Sequence, residues 1–279
     1  MRSPAFYAAI VCLVGFGSHQ AAGVEPRVPL VVAHRGLLQH APENTIANFR
    51  ACLQLRIGFE FDIARTKDGH LVCIHDELVD RTTDGKGKVS SLTLRELERL
   101  DAGSWFSPAF AGERVPTVEA VMALVAEHAD QPILVAADLK AAGVEREVVR
   151  LAMKHRILHR LLFIGRAISE PATRAALASA SAHARAAAVA NNVDEFPAAL
   201  AAKHASWVYF RFLPSRQQLE AVHRAKKQAF IAGPTVSGHV PEHWRQAAQA
   251  GMDGILTDYS LELASMLRRE LVAAEHDPR

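Results

Sequence analysis

The stretch FDIARTKDGHLVCIHD, residues 61–76, decides how the rest of the chain is read. Two β-rich runs lie on either side of Asp68-Gly69, a dipeptide typical of a two-residue hairpin turn. A parallel pair of strands needs a connection of a dozen or more residues, so these two runs are expected to pair antiparallel. With Asp68 and Gly69 as the turn, Asp62 is predicted to lie opposite His75 on the same face.

Nine β-rich runs alternate with helical patterns from residue 29 onward, which predicts an α/β fold with parallel strands. If the third run is an antiparallel arm, the other eight predict a TIM (β/α)8 barrel, with a small excursion after the second barrel strand. The runs are PLVVAH (29–34), GFEFDIA (58–64), HLVCIH (70–75), PILVAADL (132–139), LLFIG (161–165), ARAAAVA (184–190), SWVYFR (206–211), AFIAG (229–233) and DGILT (253–257).

The spacing of apolar residues predicts helices between the strands. Ile46, Phe49 and Leu53 recur on one helical face, and Asn44 precedes them as a plausible N-cap. Residues 118–125 show the same periodicity. Both segments are expected to pack on the outside of the barrel.

The first residues of the chain resemble a secretory signal peptide. In residues 1–23, MRSPAFYAAIVCLVGFGSHQAAG, Arg2 precedes an apolar run, and small residues follow it. The alternative is a short membrane anchor. We therefore expect residues 24–279 to form one barrel domain of an exported protein, periplasmic or secreted. Its two cysteines, Cys52 and Cys73, are expected to be buried free thiols.

The charge balance bears on the class of ligand. The chain contains 32 Lys and Arg residues and 30 Asp and Glu residues, a formal net charge of +2 at pH 7. Proteins that bind nucleic acid carry a strongly basic patch, which such a balance does not indicate. A small molecule is therefore the expected partner.

Acidic residues at two strand ends predict a metal site. Glu60 and Asp62 alternate along one strand and so share a face. Buried side by side, ionised carboxylates require a cation, and hard oxygen ligands suit Mg²⁺ or Ca²⁺ better than Zn²⁺. Asp138 ends another apolar strand and offers a third acid, with Lys140 on the same face two residues later.

Other chemically able residues are expected at the same end of the barrel, where TIM-barrel enzymes hold their catalytic groups. His34 and His75 supply groups that can give and take a proton near neutral pH. Arg35 offers a fork matched to phosphate oxygens, and Lys140 a point charge. Together with a metal, this set points to phosphoryl chemistry on an ester.

Each residue also has a purely structural interpretation. A histidine at a strand end, such as His34, is by itself more often a hydrogen-bonded structural residue. Ion pairs to Arg35 and Arg65 would explain Glu60 with Asp62 equally well. Asp138 and Lys140 are explained by a surface ion pair. It is the predicted convergence of all these residues at one barrel mouth that favours the functional interpretation.

Several motifs, in order along the chain, resemble the glycerophosphodiester phosphodiesterase family. Agreement is dense from about residue 31 to residue 140, thin through 160–230, and returns near the end. The matching motifs are AHRG (33–36), APENT (41–45), FEFDIARTKDGHLVCIHD (59–76), the excursion from DRTTDGKGKV (80–89) to VPTVEAV (115–121), ADLK (137–140) and GMDGILTD (251–258).

The resemblance implies a role for each matching residue. Glu60, Asp62 and Asp138 would bind a divalent metal, and His34 and His75 would form the acid-base pair. Arg35 and Lys140 would hold the phosphate. Glu43 would support the mouth by orienting His34 or Arg35. The implied reaction is hydrolysis of glycerophosphodiesters to glycerol 3-phosphate and an alcohol.

The chain departs from the family pattern at two places that bear on the substrate. Asp138 stands where the family usually has glutamate, and PTVS (234–237) replaces tryptophan-threonine-valine-asparagine, which puts Pro234 and Ser237 at the outer positions. Two alternatives stay open. One is a lysophospholipase D-like phosphodiesterase acting on lysophospholipids, and the other is a non-catalytic barrel that binds phosphoesters.

Overall fold

The computed structural model describes residues 28–128 and 130–275. The predicted signal segment, residues 1–23, lies outside this part of the chain. The described residues form nine strands, one for each run read from the sequence. They are β1 (Leu30–Ala33), β2 (Gly58–Arg65), β3 (Leu71–Cys73), β4 (Val135–Leu139), β5 (Leu161–Gly165), β6 (Ala187–Ala190), β7 (Trp207–Phe210), β8 (Gln228–Ile231) and β9 (Gly254–Thr257).

Eight of these strands form a parallel sheet in the order β5-β4-β2-β1-β9-β8-β7-β6. The two edges of the sheet meet where Phe163 bridges Ala186 and the Phe163 N–H donates to the Arg185 carbonyl at 2.8 Å. The sheet is thus nearly closed on itself, and the predicted TIM barrel is confirmed.

Helices follow most strands and cover the outside of the barrel. The helices of the described residues are α1 (Ile46–Gln54), α2 (Leu94–Leu97), α3 (Val118–Ala126), α4 (Glu145–Lys154), α5 (Arg166–Ser169), α6 (Pro171–Ala180), α7 (Phe196–Ala201), α8 (Arg216–Arg224), α9 (Pro234–Ser237), α10 (Pro241–Ala250) and α11 (Ser260–Glu275). In the region that the structure describes, no helix is both long and apolar enough to cross a membrane.

Side-chain alternation along β2 explains why its acids face the inside of the barrel. Phe59 and Phe61 belong to the apolar layer beneath the outer helices, where Phe59 stacks on Phe49 of α1 with ring centroids 4.3 Å apart. Successive strand residues point to opposite faces. Glu60 and Asp62 therefore point inward, toward the carboxyl end of the barrel.

The third strand, β3, pairs antiparallel with β2, but in a register one residue away from the one expected. Ile63 pairs with Cys73, so Asp62 does not lie opposite His75. Between the two strands the Thr66 N–H donates to the His70 carbonyl at 2.9 Å, which leaves three residues, 67–69, in the turn rather than two. Gly69 has a left-handed φ of 90°, which suits such a turn. The expected two-residue turn was wrong, and β3 ends at Cys73, before the histidine.

The connection from β1 to α1 is organised by the buried side chain of Asn48. Its Oδ1 accepts the Leu37 N–H at 2.5 Å, and its Nδ2 donates to the carbonyls of Ala41 and Pro42, both at 3.1 Å. A Cβ on Gly36, whose φ is 89°, would lie 2.2 Å from Asn48 Oδ1. Glycine at this position therefore lets the loop close around the amide.

The N-cap of α1 differs from the expected one. Thr45, not Asn44, accepts the Asn48 N–H with its side chain. Asn44 lies one residue earlier, in a left-handed conformation with φ 56°. Its side chain is consequently free to reach β2 across the barrel mouth.

The predicted excursion joins β3 to α3 and has a small apolar cluster of its own. Val72 and Ile74 from the arm pack there with Val79, Leu97 and Val115. Cys52 and Cys73 are buried free thiols, as expected. Burial raises the pKa of Cys52 to about 12, so that thiol stays protonated at neutral pH.

Replacing Asn48 with alanine is expected to lower the free energy of unfolding by about 2–4 kcal/mol, since buried backbone groups lose their partners. Urea unfolding followed by circular dichroism measures this difference. Gln54→Ala, an exposed change on the same helix, serves as the matched control and should shift stability by less than about 0.5 kcal/mol. An Asn48→Ala variant as stable as the control would contradict the role given to this side chain.

Candidate active site

Three carboxylates meet at the carboxyl end of the barrel. Glu60 and Asp62 come from β2 and Asp138 from the neighbouring β4, where Asp62 and Asp138 are register partners. One oxygen from each of the three residues lies within 4.8 Å of the others. Glu60 and Asp62 are each 1% exposed, so water screens their repulsion very little.

Neighbouring groups hold this cluster together. Lys140 Nζ lies 3.2 Å from Asp62 Oδ1 and 3.1 Å from Asp138 Oδ2. Asn44 Nδ2 donates to Asp62 Oδ2 at 2.8 Å, and the Asp62 N–H donates to Asn44 Oδ1 at 3.1 Å. The Arg35 N–H donates to Glu60 Oε2 at 2.9 Å. The two non-glycine residues with left-handed backbone after β1, Arg35 and Asn44, thus both serve the cluster.

The pKa values reflect the remaining excess of negative charge. Burial, followed by repulsion from Asp62 and Asp138, raises the pKa of Glu60 well above its usual range. Burial also raises the pKa of Asp138, against the attraction of Lys140. For Lys140 itself, burial lowers the pKa, but attraction by Asp138 and Asp62 outweighs it and raises the value overall. Further positive charge would stabilise the ionised cluster.

Two oxygens of the cluster are positioned for a cation. Glu60 Oε1 and Asp138 Oδ1 are buried and make no hydrogen bond with the described residues. Unpaired buried carboxylate oxygens are costly, and a bound cation would satisfy them. An all-oxygen donor set suits a hard divalent ion. The residues present therefore fit a divalent metal, and the cluster could hold one.

Asp138, the shorter acid of the ADLK motif, depends on the glycine that ends the next strand. Gly165 pairs with Leu139 across β4 and β5 and has a φ of 68°. A Cβ at this position would lie 2.1 Å from Asp138 Oδ1 and 2.6 Å from the Leu139 N atom. Only glycine leaves room for the carboxylate to point into the mouth.

His34, at the end of β1, is held by a carboxylate that the sequence analysis did not select. Its Nδ1 lies 2.7 Å from Oδ1 of Asp258, which directly follows β9, the neighbour of β1 in the sheet. The Asp258 N–H donates to the Ser237 carbonyl at 3.1 Å, which fixes the backbone of this residue. With the proton on Nδ1, Nε2 of His34 carries a free lone pair.

His75 lies just beyond β3 and has its own carboxylate partner. Its Nδ1 is 2.7 Å from Oδ1 of the adjacent Asp76. Arg81, from the excursion, donates to Asp76 from Nε at 2.7 Å. Its hydrogen bond to Asp76, assisted by the bond from His75, holds the pKa of Asp76 well below its usual value.

The same arginine connects the second histidine to the loop after β1. Arg81 Nη1 donates to Glu43 Oε2 at 2.6 Å, and Glu43 Oε1 accepts from Arg35 Nη1 at 3.2 Å. Arg35 Nε lies 3.5 Å from Asp62 Oδ2. A continuous chain of charged contacts therefore runs from His75 to the carboxylate cluster.

The predicted site residues meet at one end of the barrel. Glu43 contacts Arg35, one of the two partners expected for it. Arg65 does not take part, since it lies 3.6 Å from Glu147 and donates to the Gly143 carbonyl at 3.0 Å. The structural ion pairs considered from the sequence are thus present for Arg35 but absent for Arg65 among the described residues.

Four residues of this arrangement were missed from the sequence, one of them Asp76, which directly follows His75. Asp258 carries a signal that could have revealed it, because it ends a strand in the same way as His34. Asn44 was interpreted only as a helix cap. Arg81 lies in a loop, and only the folded excursion brings it to Asp76 and Glu43.

Fold and site together define a TIM-barrel protein with an acidic cluster and two carboxylate-held histidines at its mouth. A model of the glycerophosphoryl diester phosphodiesterase family matches residues 34–262. The chain belongs to this family.

Individual relatives agree with this assignment. A glycerophosphodiester phosphodiesterase of Caldanaerobacter subterraneus is 43% identical over 139 residues, covering 48% of this chain and 56% of the relative. The chain spans about half the length of the curated relatives that it matches first.

Solved structures agree along nearly their whole length. The glycerophosphodiester phosphodiesterase of Agrobacterium tumefaciens has 27% identity and a TM-score of 0.71, covering 85% of this chain and 99% of that one. A phosphodiesterase of Oleispira antarctica, solved with the product sn-glycerol-3-phosphate, has 23% identity and a TM-score of 0.71. It covers 86% of this chain and 97% of that one.

Millimolar Mg²⁺ or Ca²⁺ is expected to raise the melting temperature by about 5 °C or more. The ion binds the cluster of the folded protein and not the unfolded chain, and therefore stabilises the folded state. Asp138→Asn and Glu60→Gln should lose this shift, and differential scanning fluorimetry measures it. Asp194→Asn, an exposed change of the same kind, should keep it. A shift that persists in both cluster variants would remove the metal from this site.

Proposed function

We propose that this protein hydrolyses glycerophosphodiesters to glycerol 3-phosphate and an alcohol, using a divalent metal and two histidines. The observation that carries the proposal is the acidic cluster beside His34 and His75, each with Nδ1 held by a carboxylate. A binding protein has no need of a proton donor and a proton acceptor. The arrangement thus favours an enzyme over a non-catalytic phosphoester-binding barrel.

The metal would be held by Glu60, Asp62 and Asp138, with Mg²⁺ and Ca²⁺ as the candidates for an all-oxygen site. When bound, it supplies positive charge that polarises the phosphoryl group and neutralises charge on its oxygens. Lys140 is the side chain best placed to contact the phosphate. Its ammonium lies at the cluster, and 34% of the side chain is exposed.

Arg35 would contribute to phosphate binding in a fixed orientation. Glu43 and Asp62 flank its guanidinium and restrict its rotation. A guanidinium has five N–H donors, so these contacts leave donors for phosphate oxygens. Glu43 therefore acts by positioning Arg35 rather than His34.

The two histidines would divide the proton transfers between them. As a nucleophilic oxygen, from water or a neighbouring substrate hydroxyl, bonds to phosphorus, one histidine accepts its proton at Nε2. The bond from phosphorus to the leaving oxygen breaks, and the other histidine donates a proton from Nε2 to that oxygen. Attack by water gives glycerol 3-phosphate directly, whereas attack by the substrate hydroxyl gives a cyclic phosphodiester that water then opens, with the two histidines exchanging roles. Asp258 and Asp76 hold Nδ1 of His34 and His75, so the opposite ring nitrogen of each faces the reaction.

Two further proposals complete the assignment. The family relatives named as glycerophosphodiester phosphodiesterases support a small-molecule diester as substrate. Residues 1–23 support export to the periplasm or outside the cell, with residues 24–279 as the mature barrel domain.

His34→Ala and His75→Ala are each expected to lower kcat for glycerophosphocholine at least about 100-fold, the usual contribution of general acid-base catalysis. Release of glycerol 3-phosphate in the presence of Mg²⁺ or Ca²⁺ measures this rate. His70→Ala, in the exposed hairpin loop, is the control and should retain wild-type activity. Full activity in either site variant would refute the mechanism, and hydrolysis of lysophosphatidylcholine alone would replace the substrate class.

Asp258→Asn is expected to lower kcat about 100-fold while KM changes less than about threefold, because an amide no longer holds His34 in the productive tautomer. Steady-state kinetics separates the two constants. Asp258→Glu should recover part of the loss, since it restores a carboxylate. An equal loss in both variants, or a change confined to KM, would show that Asp258 does not act through the histidine.

A further inference from the structure

An open cleft of about 420 Å³ leads away from the acidic cluster across the mouth of the barrel. Asp138 and Lys140 form its inner end, so it is continuous with the proposed metal and phosphate site. Its outer part is lined by residues that follow β5, β6 and β7, among them Arg166, Asn191 and Arg211. A diester with its phosphate at Lys140 therefore has room for one of its two arms in this cleft.

The cleft has an excess of positive charge. Lys140 is paired with the acidic cluster and Arg166 with Glu170, so the charge that no carboxylate of the cleft offsets is that of Arg211. Glu170 pairs with Arg166 through a contact of 3.0 Å between Oε2 and Nη2. Glu170 Oε2 also accepts a hydrogen bond from Thr173 Oγ1 at 2.9 Å, so this carboxylate oxygen is shared between two donors.

Both arginines keep unused donors. Arg166 Nε is buried without a hydrogen-bond partner among the described residues. Within the same part of the chain, the guanidinium of Arg211 lies within ion-pair distance of no carboxylate. Unpaired guanidinium donors at a concave surface are suited to an anion.

The aromatic lining of the cleft is unsuited to a cation. Among the described residues that line the cleft, Tyr209 is the one aromatic side chain. The guanidinium carbon of Arg211 lies over the Tyr209 ring, 6.0 Å from its centroid. A quaternary ammonium group binds best against an open aromatic face. Here a positive charge already covers that face and would repel a second one.

We propose that this cleft binds the alcohol arm of the substrate and selects an arm that carries a second anionic group, with Arg211 and Arg166 as its ligands. The inference rests on the proposed diesterase function and specifies its substrate class. A terminal phosphate or a carboxylate supplies the required charge. Arms with choline or ethanolamine groups are disfavoured by the same field.

The test compares diesters that share glycerol 3-phosphate and differ in the other arm. In glycerophosphoglycerol that arm is neutral. Two diesters make the arm anionic: the terminal phosphate ester of glycerophosphoglycerol adds a phosphate, and glycerophosphoglycerate adds a carboxylate. In glycerophosphocholine the arm carries a positive charge. We expect kcat/KM for at least one anionic arm to exceed that for glycerophosphoglycerol about fivefold, mainly through KM. The ranking of the two anionic arms identifies the group, and glycerophosphocholine should be the poorest substrate.

Arg211→Gln should reduce the advantage of the anionic arm to less than about twofold, and Arg166→Gln should reduce it in part. Arg216→Gln is the matched control, because it removes the same charge at an exposed position of α8, where Arg216 Nε lies 3.3 Å from Glu220 Oε1. It should leave the advantage of the anionic arm unchanged. Raising the ionic strength from about 0.05 M to about 0.5 M should also weaken it, because salt screens an exposed charge.

The two levels of the proposal fail in different ways. If the wild type hydrolyses glycerophosphocholine at least as well as both anionic diesters, or Arg211→Gln keeps their full advantage, the charge selection is wrong and the diesterase function stands. If the metal-saturated protein hydrolyses none of the four diesters, the proposed function is wrong, and the selection fails with it.

Discussion

Most of the site depends on one requirement: three carboxylates must be held close together, away from water, at the carboxyl end of the barrel. Glu60, Asp62 and Asp138 repel one another strongly, because little water reaches the cluster. Lys140 supplies an adjacent positive charge, and the loop after β1 supplies an amide and a backbone N–H. Such clusters rarely contribute to stability, so their presence is better explained by what they bind.

The barrel supplies the rigidity that this arrangement needs. On β2, aromatic side chains pack outward against α1 while the acids of the same strand point inward. The outer packing thus determines which way the acids face, since a strand cannot turn one face without turning the other. The loop after β1 is held in the same way, because the buried amide of Asn48 binds three of its backbone groups. The packed core and the buried hydrogen bonds thus hold the charged groups of the site in fixed positions.

Much of this could be read from the sequence, and the failures have identifiable causes. The nine strands, the barrel and the acids of β2 and β4 follow from periodicity and strand ends. The hairpin register failed because Asp-Gly also suits a three-residue loop with glycine in the left-handed position. Asn44 resembled a cap, whereas Thr45 caps the helix and leaves Asn44 to bind Asp62. Residue preferences alone could not distinguish a two-residue from a three-residue turn, or Asn44 from Thr45 as the N-cap, because tertiary contacts decide between them.

The sequence alone determined the eightfold barrel, the family and most of the charged residues at the mouth. These follow from side-chain alternation and motif order, which are properties of the local chain. The tertiary structure alone decided which groups touch: Asp258 with His34, Arg81 with Glu43, and Lys140 with Asp62. Those contacts join strands and loops far apart in sequence. They depend on barrel closure and loop packing, which bring distant charges within hydrogen-bonding reach.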